Sequence, residues 1–320
     1  MAGVLEARRR IAPHLQRTPL RNYPVLDRLV GAEVWVKHEN HLPTGAFKVR
    51  GGLNLVSQLS PDERRRGVIA ASTGNHGQSV AYAARAFGIS ARICVPENAN
   101  PVKVASMRDL GAEVIPGGRD FDDARERCEQ LAGEHGYRYI HSGDEPLLIE
   151  GVGTATLEMF EEQPDLETIV VPVGGGSGAS GACIVREALQ PSCEVIGVQS
   201  EAAPAAYRSW EKGELVEDEM GTAAEGLATR TAFALPQEIM CKLLTDFVLV
   251  SEADIVRCTR VMIEATRTLV EGAAASALAG ALSLGARLGG RKVAVVCSGG
   301  NISPAQLLAV LSGPAPGGPA

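Results

Sequence analysis

Ile169-Val170-Val171-Pro172-Val173-Gly174-Gly175-Gly176-Ser177-Gly178-Ala179-Ser180-Gly181 is a branched apolar run that breaks into glycines and resumes at helical spacing. A short apolar run bounded by glycine has the pattern of a buried strand. Glycines at its end let the backbone come close to an anion, and the N-terminus of the following helix favours the negative charge. The stretch therefore reads as strand, phosphate loop and helix. It is not a Walker loop, because no Gly-Lys-Ser/Thr follows. A dinucleotide fingerprint can be forced onto Gly174 and Gly176 with Glu194 as the acid, but that match is weak.

The same alternation continues in both directions along the 320 residues. β-Rich runs fall at 33–37, 68–71, 91–95, 113–115, 168–173, 195–198, 247–250 and 293–297. Helical periodicity covers 78–87, 102–110, 120–135, 152–162, 178–189 and 252–269. Strands separated by helix-length segments predict parallel α/β layers with crossover helices. The units at 68–88 and 91–111, with a third closing near Tyr139-Ile140, are expected to form a small sheet and the remainder a second one. That places a small domain at 67–144 inside a discontinuous large domain, 1–66 and 145–320. The tail 313–320, made of Gly, Pro, Ala, is expected to be disordered.

A net charge of −7 and a pI near 5.5 provide no basic field for nucleic acid or an anionic membrane surface, so neither is expected as a partner. The uncharged run 272–286 is too short to span a bilayer. Glu6-Ala7-Arg8-Arg9-Arg10 near the start has no apolar segment of a secretory signal, and the expected location is the cytoplasm. Seven cysteines without a Cys-x-x-Cys pair argue against a disulfide framework and a zinc site, and read as small buried hydrophobes.

Three further segments carry chemistry. Lys48, in Pro43-Thr44-Gly45-Ala46-Phe47-Lys48-Val49-Arg50-Gly51-Gly52, lies between an aromatic and a branched residue, where desolvation would make the amine nucleophilic. The same residues also read as a surface lysine on a first helical turn. Ser72-Thr73-Gly74-Asn75-His76-Gly77 follows a strand and opens a helix, so backbone N–H groups and hydroxyls make a cradle for a carboxylate. A plain cap explains the hydroxyls but not the four residues after them. Cys297-Ser298-Gly299-Gly300-Asn301 ends a buried strand with a hydroxyl, where an open α/β sheet presents groups to a ligand, although such residues also make a simple turn. A nucleophilic amine, a carboxylate cradle, a phosphate loop and a hydrogen bonder for a ring together match what pyridoxal phosphate requires.

With these motifs and Ala224-Glu225-Gly226-Leu227-Ala228, nearly the whole chain resembles the fold type II pyridoxal-phosphate enzymes, in particular the serine/threonine dehydratase and serine racemase family. The resemblance implies two open, twisted, mostly parallel α/β domains with pyridoxal 5'-phosphate in the cleft between them. It makes Lys48 the lysine that carries the cofactor and Asn75 the partner of the ring hydroxyl, with Phe47 lining the pocket. Gly174, Gly175, Gly176, Ser177 and Gly178 would hold the phosphate, and Ser298 would face the pyridine nitrogen. Ser72, Thr73, Gly74, Asn75 and His76 would take the substrate carboxylate, with Gly226 nearby. A homodimer or higher homo-oligomer is also implied.

The implied reaction is loss of the β-hydroxyl from a threonine- or serine-type L-amino acid, giving a 2-oxo acid and ammonia. Lys48 would remove the α-proton. A neutral Ser298 hydroxyl at the ring nitrogen favours prompt elimination over a long-lived carbanion. Gln199 and Ala205 stand where metal-dependent relatives place acidic ligands, so no metal is expected. Racemisation, β-replacement, related substrates such as threo-3-hydroxyaspartate, phenylserine or hydroxyectoine-derived amino acids, and a silent ligand sensor are the alternatives. Serine racemases of this family have serine where Thr73 stands, and the stiffer threonine is expected to favour dehydration over inversion.

Overall fold

The computed structural model describes residues 1–72, 74–119 and 121–313, the side chain of Asp122 excepted. The expected role of Thr73 and the expected disorder of 314–320 lie outside the described residues. In chain order the first elements are α1 (Ala2–Ile11), β1 (Leu20–Asn22), α2 (Pro24–Val30), β2 (Glu33–His38), α3 (Lys48–Ser57), α4 (Pro61–Arg66), β3 (Val68–Ala71) and α5 (Asn75–Ala86). They are followed by β4 (Ala91–Val95), α6 (Pro101–Asp109), β5 (Glu113–Pro116), α7 (Phe121–His135), β6 (Arg138–Tyr139), α8 (Pro146–Glu162), β7 (Thr168–Pro172) and α9 (Ser177–Leu189). The last are β8 (Glu194–Ser200), α10 (Ala205–Lys212), α11 (Ala234–Leu243), β9 (Asp246–Val250), α12 (Glu252–Thr266), α13 (Gly272–Leu284), β10 (Lys292–Cys297) and α14 (Pro304–Ser312).

Contacts gather the chain into two compact units, Met1–Gln16 with Lys48–Thr154 and Arg17–Phe47 with Ala155–Ala320. In the first, β5-β4-β3-β6 form a parallel sheet. Its four strands all fall within 67–144, but α3, outside that range, packs on α5, which draws the 48–66 segment into this unit. The approach is close because Gly52 faces Ser79, and a Cβ there would overlap the serine hydroxyl. On another side of the sheet Ala124, Cys128 and Leu131 of α7 bury Ile69, Ala71 and Cys94.

In the second unit the strand order is β1-β2-β10-β7-β8-β9, parallel except for β1 against β2. Val34, Val36, Val170, Val198, Val293 and Val295 build one core with α13, whose alanines are buried. Small residues let that helix lie close to the sheet, since a Cβ on Gly280 would overlap Val198. Burial of valine-rich runs on both faces is the ordinary state of a parallel sheet, which is why the periodicity of these strands was continuous rather than alternating. A charged group is also buried here: Lys37 of β2 donates to Glu158 at 2.7 Å and to the Thr18 carbonyl at 2.8 Å.

All eight expected strands are present, and two more appear among the described residues. β1 is a three-residue edge strand, Leu-Arg-Asn, with no apolar run to announce it. β6 has two residues, at the place where the third small unit was expected to close. Helix α12 stops at Thr266 instead of 269 because Arg267 takes a left-handed φ of 56°, which ends the helix. Helix α8 starts at Pro146, before the expected 152. Cys241 is exposed, a correction to the reading of all seven cysteines as buried; the other six are buried. Among the described residues no helix is long and apolar enough to cross a membrane.

Candidate active site

Lys48 is the first residue of α3 and is partly buried. Its amine donates to the Ser142 carbonyl at 2.8 Å, and the Ser79 hydroxyl of α5 donates to the Lys48 carbonyl at 2.7 Å. Burial lowers the pKa of the amine to about 8, because removing water disfavours the charged form. The surface-lysine reading is thereby displaced: the residue does open a helix, but its amine is desolvated.

At the end of β3, Ser72 is buried and its N–H donates to the Cys94 carbonyl at 3.0 Å. The Ser72 Oγ accepts from the N–H of Gly74 at 3.0 Å and of Gly77 at 2.8 Å. With both lone pairs engaged, what the hydroxyl has left to offer is its proton, the form a carboxylate requires. Asn75 and His76 occupy the first turn of α5, where N–H groups point along the helix axis. Gly77 is required by packing: a Cβ there would come within 2.5 Å of Met107 Sδ.

For His76 the structure separates the backbone N–H, in the first turn of α5, from the ring. Its Nε2 lies 3.0 Å from the Ile140 carbonyl, so Nε2 carries the proton and donates. Burial first, then the charge of Lys48, lower its pKa to about 3, so the ring is neutral. Nδ1 is buried and has no hydrogen-bond partner among the described residues. It presents a lone pair, which repels a carboxylate, and only the backbone N–H of His76 suits that ligand.

Sequence reasoning missed two neighbours of this cradle. Lys103 of α6 is buried across Gly74, whose Cβ would lie 3.0 Å from Cδ and 3.2 Å from Nζ. Ser142 supplies the acceptor for Lys48. Neither is adjacent to a motif, so no local spacing could reveal them.

In the second unit the glycine loop follows β7 and leads into α9, as expected. Each glycine answers to a particular neighbour. A Cβ on Gly174 would overlap the Gly226 carbonyl oxygen, and one on Gly175 would overlap the Phe233 ring. Gly176 has φ +86°, with Met240 Cε 2.8 Å from its Cβ position. Gly178 is less constrained, its nearest neighbour being Phe47 Cε2 at 3.3 Å. The loop and Gly226 are thus brought together, with Ser177 buried at the start of α9. The Phe47 N–H donates to the Ser298 carbonyl at 3.0 Å, Gly300 N–H to the Gly45 carbonyl at 2.9 Å, and Asn301 Nδ2 to the Thr44 carbonyl at 2.9 Å. These bonds tie Thr44–Phe47 along the Ser298 segment at the end of β10. Glu271 is a buried carboxylate that the sequence reading noted only as a flank of the uncharged run. Its N–H donates to the Gly299 carbonyl at 3.1 Å, and its Oε1 lies 3.9 Å from the Cβ position of Gly226.

The family model described as pyridoxal-phosphate dependent enzyme matches residues 11–299. An L-threonine ammonia-lyase of Thermotoga maritima is 40% identical over 304 residues, covering 94% of this chain and 75% of the relative. An L-threo-3-hydroxyaspartate ammonia-lyase of Saccharomyces cerevisiae is 36% identical over 311 residues, covering 97% of this chain and 95% of the relative. The crystal structure of serine racemase from Dictyostelium discoideum superimposes with a TM-score of 0.89 at 32% identity, covering 94% of this chain and 98% of that one. The mixed α/β units and their mostly parallel sheets agree with that neighbour in architecture. The chain accordingly belongs to the pyridoxal-phosphate dependent enzymes of fold type II.

Proposed function

We propose that this enzyme is an ammonia-lyase that converts a β-hydroxy L-amino acid of the threonine or serine type to a 2-oxo acid and ammonia by β-elimination. The observation that carries the reading is the partly buried Lys48 amine, with a pKa lowered to about 8. The names of the relatives, L-threonine ammonia-lyase and L-threo-3-hydroxyaspartate ammonia-lyase, support it.

The residues present fit pyridoxal phosphate. The glycine loop is bare backbone that added Cβ atoms would crowd, and it opens at a helix N-terminus. In this reading Gly174 to Gly178 hold the phosphate, Phe47 lines the pocket, Asn75 meets the ring hydroxyl and Ser298 the ring nitrogen. When bound, the cofactor supplies the electron sink that makes the substrate Cα–H acidic. Lys48 Nζ takes that proton, and desolvation leaves a usable fraction of the amine unprotonated near neutral pH. The Ser72 hydroxyl and the N–H groups of Asn75 and His76 orient the substrate carboxylate, Gly74 leaves room beside it, and Gly226 lies near the substrate. We place the enzyme in the cytoplasm, in keeping with six buried unpaired thiols. It acts there as a homodimer or larger homo-oligomer, consistent with exposed Leu308 and Leu311 on α14.

A panel of β-hydroxy amino acids tests the reading, with 2-oxo acid and ammonia measured alongside chiral analysis of the remaining substrate. Equimolar 2-oxo acid and ammonia are expected, with little D-enantiomer. Formation of D-amino acid as fast as 2-oxo acid would replace the lyase with a racemase. Borohydride treatment of the loaded enzyme followed by peptide mapping should label Lys48; a label on another lysine would overturn its role.

A further inference from the structure

Residues 140–142 are held at both ends. Just beyond β6, the Ile140 N–H donates to the Ile69 carbonyl of β3 at 2.8 Å, and the Ile140 carbonyl accepts from His76 Nε2 at 3.0 Å. Two residues later the Ser142 carbonyl accepts from Lys48 Nζ at 2.8 Å. The residue between them, His141, uses Nδ1 to accept from the N–H groups of Gly143 at 3.1 Å and Asp144 at 2.8 Å, which closes the turn that follows. His76 is 5% exposed, so its ring is fixed by its surroundings. A continuous path of short bonds therefore runs from the first turn of α5, through one peptide strip, to the amine proposed as the base.

We propose that His76 is a positioning residue: its Nε2–H holds the Ile140 carbonyl and thereby places the Ser142 carbonyl that aims the Lys48 amine, while its side chain makes no bond to the substrate carboxylate. The inference rests on the reading of Lys48 as the base. A neutral ring with a bare Nδ1 supports it, since that atom offers nothing to an anion.

Two substitutions separate this role from carboxylate binding, because a glutamine amide reaches to the Nε2 position and an asparagine amide only to Nδ1. His76→Asn should lower kcat by about 30-fold with KM changed less than about twofold, the pattern of an interaction made only in the transition state. The isotope effect on kcat with α-deuterated substrate should rise, because a misplaced amine slows proton removal. His76→Gln should recover most of the lost kcat and restore the isotope effect. In the wild type, ¹⁵N shifts should show His76 neutral and protonated on Nε2 between about pH 5 and 8, a readout that needs no variant to fold. A raised KM at unchanged kcat in both variants, equal damage by Gln and Asn, or an imidazolium in the wild type would overturn the positioning role alone. A wild type that releases no 2-oxo acid would overturn the lyase reading and this inference with it.

Discussion

The Lys48 amine, proposed as the base, is desolvated in the fold, so in the cofactor-free protein its burial is a cost to stability. Its folded pKa of about 8 lies below the ordinary lysine value near 10.4. Between those values the unfolded chain binds more protons than the folded one, so stability rises with pH across this window. The penalty is complete below about pH 8 and is gone above the unfolded value. Lys48→Met should therefore stabilise the cofactor-free protein at pH 7 by an amount on the order of 3 kcal/mol, less about 1 kcal/mol for the lost hydrogen bond to Ser142. In chemical denaturation that gain should shrink steadily as pH approaches 10; a gain independent of pH would show that packing, not charge, is responsible. Lys48, Ser72 and Ser298 could be proposed from the sequence because each lies inside a short motif. Lys103, Ser142 and Glu271 could not, because tertiary contacts alone bring them to the cradle or to Gly226. Which nitrogen of the His76 ring holds the proton was not legible either, because the Ile140 carbonyl determines it.

Among elements, the glycine loop behaves as a graded constraint. Gly174 faces a backbone carbonyl that cannot step aside, whereas Gly178 faces the edge of the Phe47 ring, which can shift by tenths of an ångström. Gly174→Ala should cost about 2–3 kcal/mol by overpacking and weaken cofactor retention at least tenfold. Gly178→Ala should stay within about 1 kcal/mol of wild type. Thermal melts and cofactor absorbance after gel filtration would check both, and equal effects would mean that the Gly226 contact does not constrain the loop. Interior strands were legible from their branched apolar runs, and edge elements were not: β1 is held by pairing with β2, a property of the partner. Lys37 illustrates the converse. Its charge within a strand suggests exposure, yet Glu158 from α8 and the Thr18 carbonyl let it lie fully buried.

At the scale of the whole molecule, parallel α/β architecture was legible because helix-length gaps separate the strands, while the assignment of 48–66 to the first unit depended on α3 meeting α5. The expected independence from divalent cations gains a structural reason. Gln199 is buried and its Oε1 accepts from the Tyr207 N–H at 2.9 Å, so it caps α10 instead of facing a cation, and Ala205 has no ligand atom in its side chain. Activity should survive dialysis against a chelator; loss restored by magnesium or calcium would reveal carboxylate ligands elsewhere.

The strand order of the larger sheet also sets a timetable for synthesis. β2 pairs on one side with β1, made just before it, and on the other with β10, which begins only at Lys292. At 5–20 residues per second, that partner emerges roughly ten seconds to a minute later. Throughout the interval Val34 and Val36 belong to a two-stranded antiparallel ribbon whose β2 edge lacks its partner, while the four strands of the smaller sheet, all contained within 68–139, can already close. An open apolar edge is a template for pairing with other chains. The nascent protein is consequently most exposed to aggregation, and most in need of a chaperone, after its smaller sheet is complete and before the end of the chain has been made.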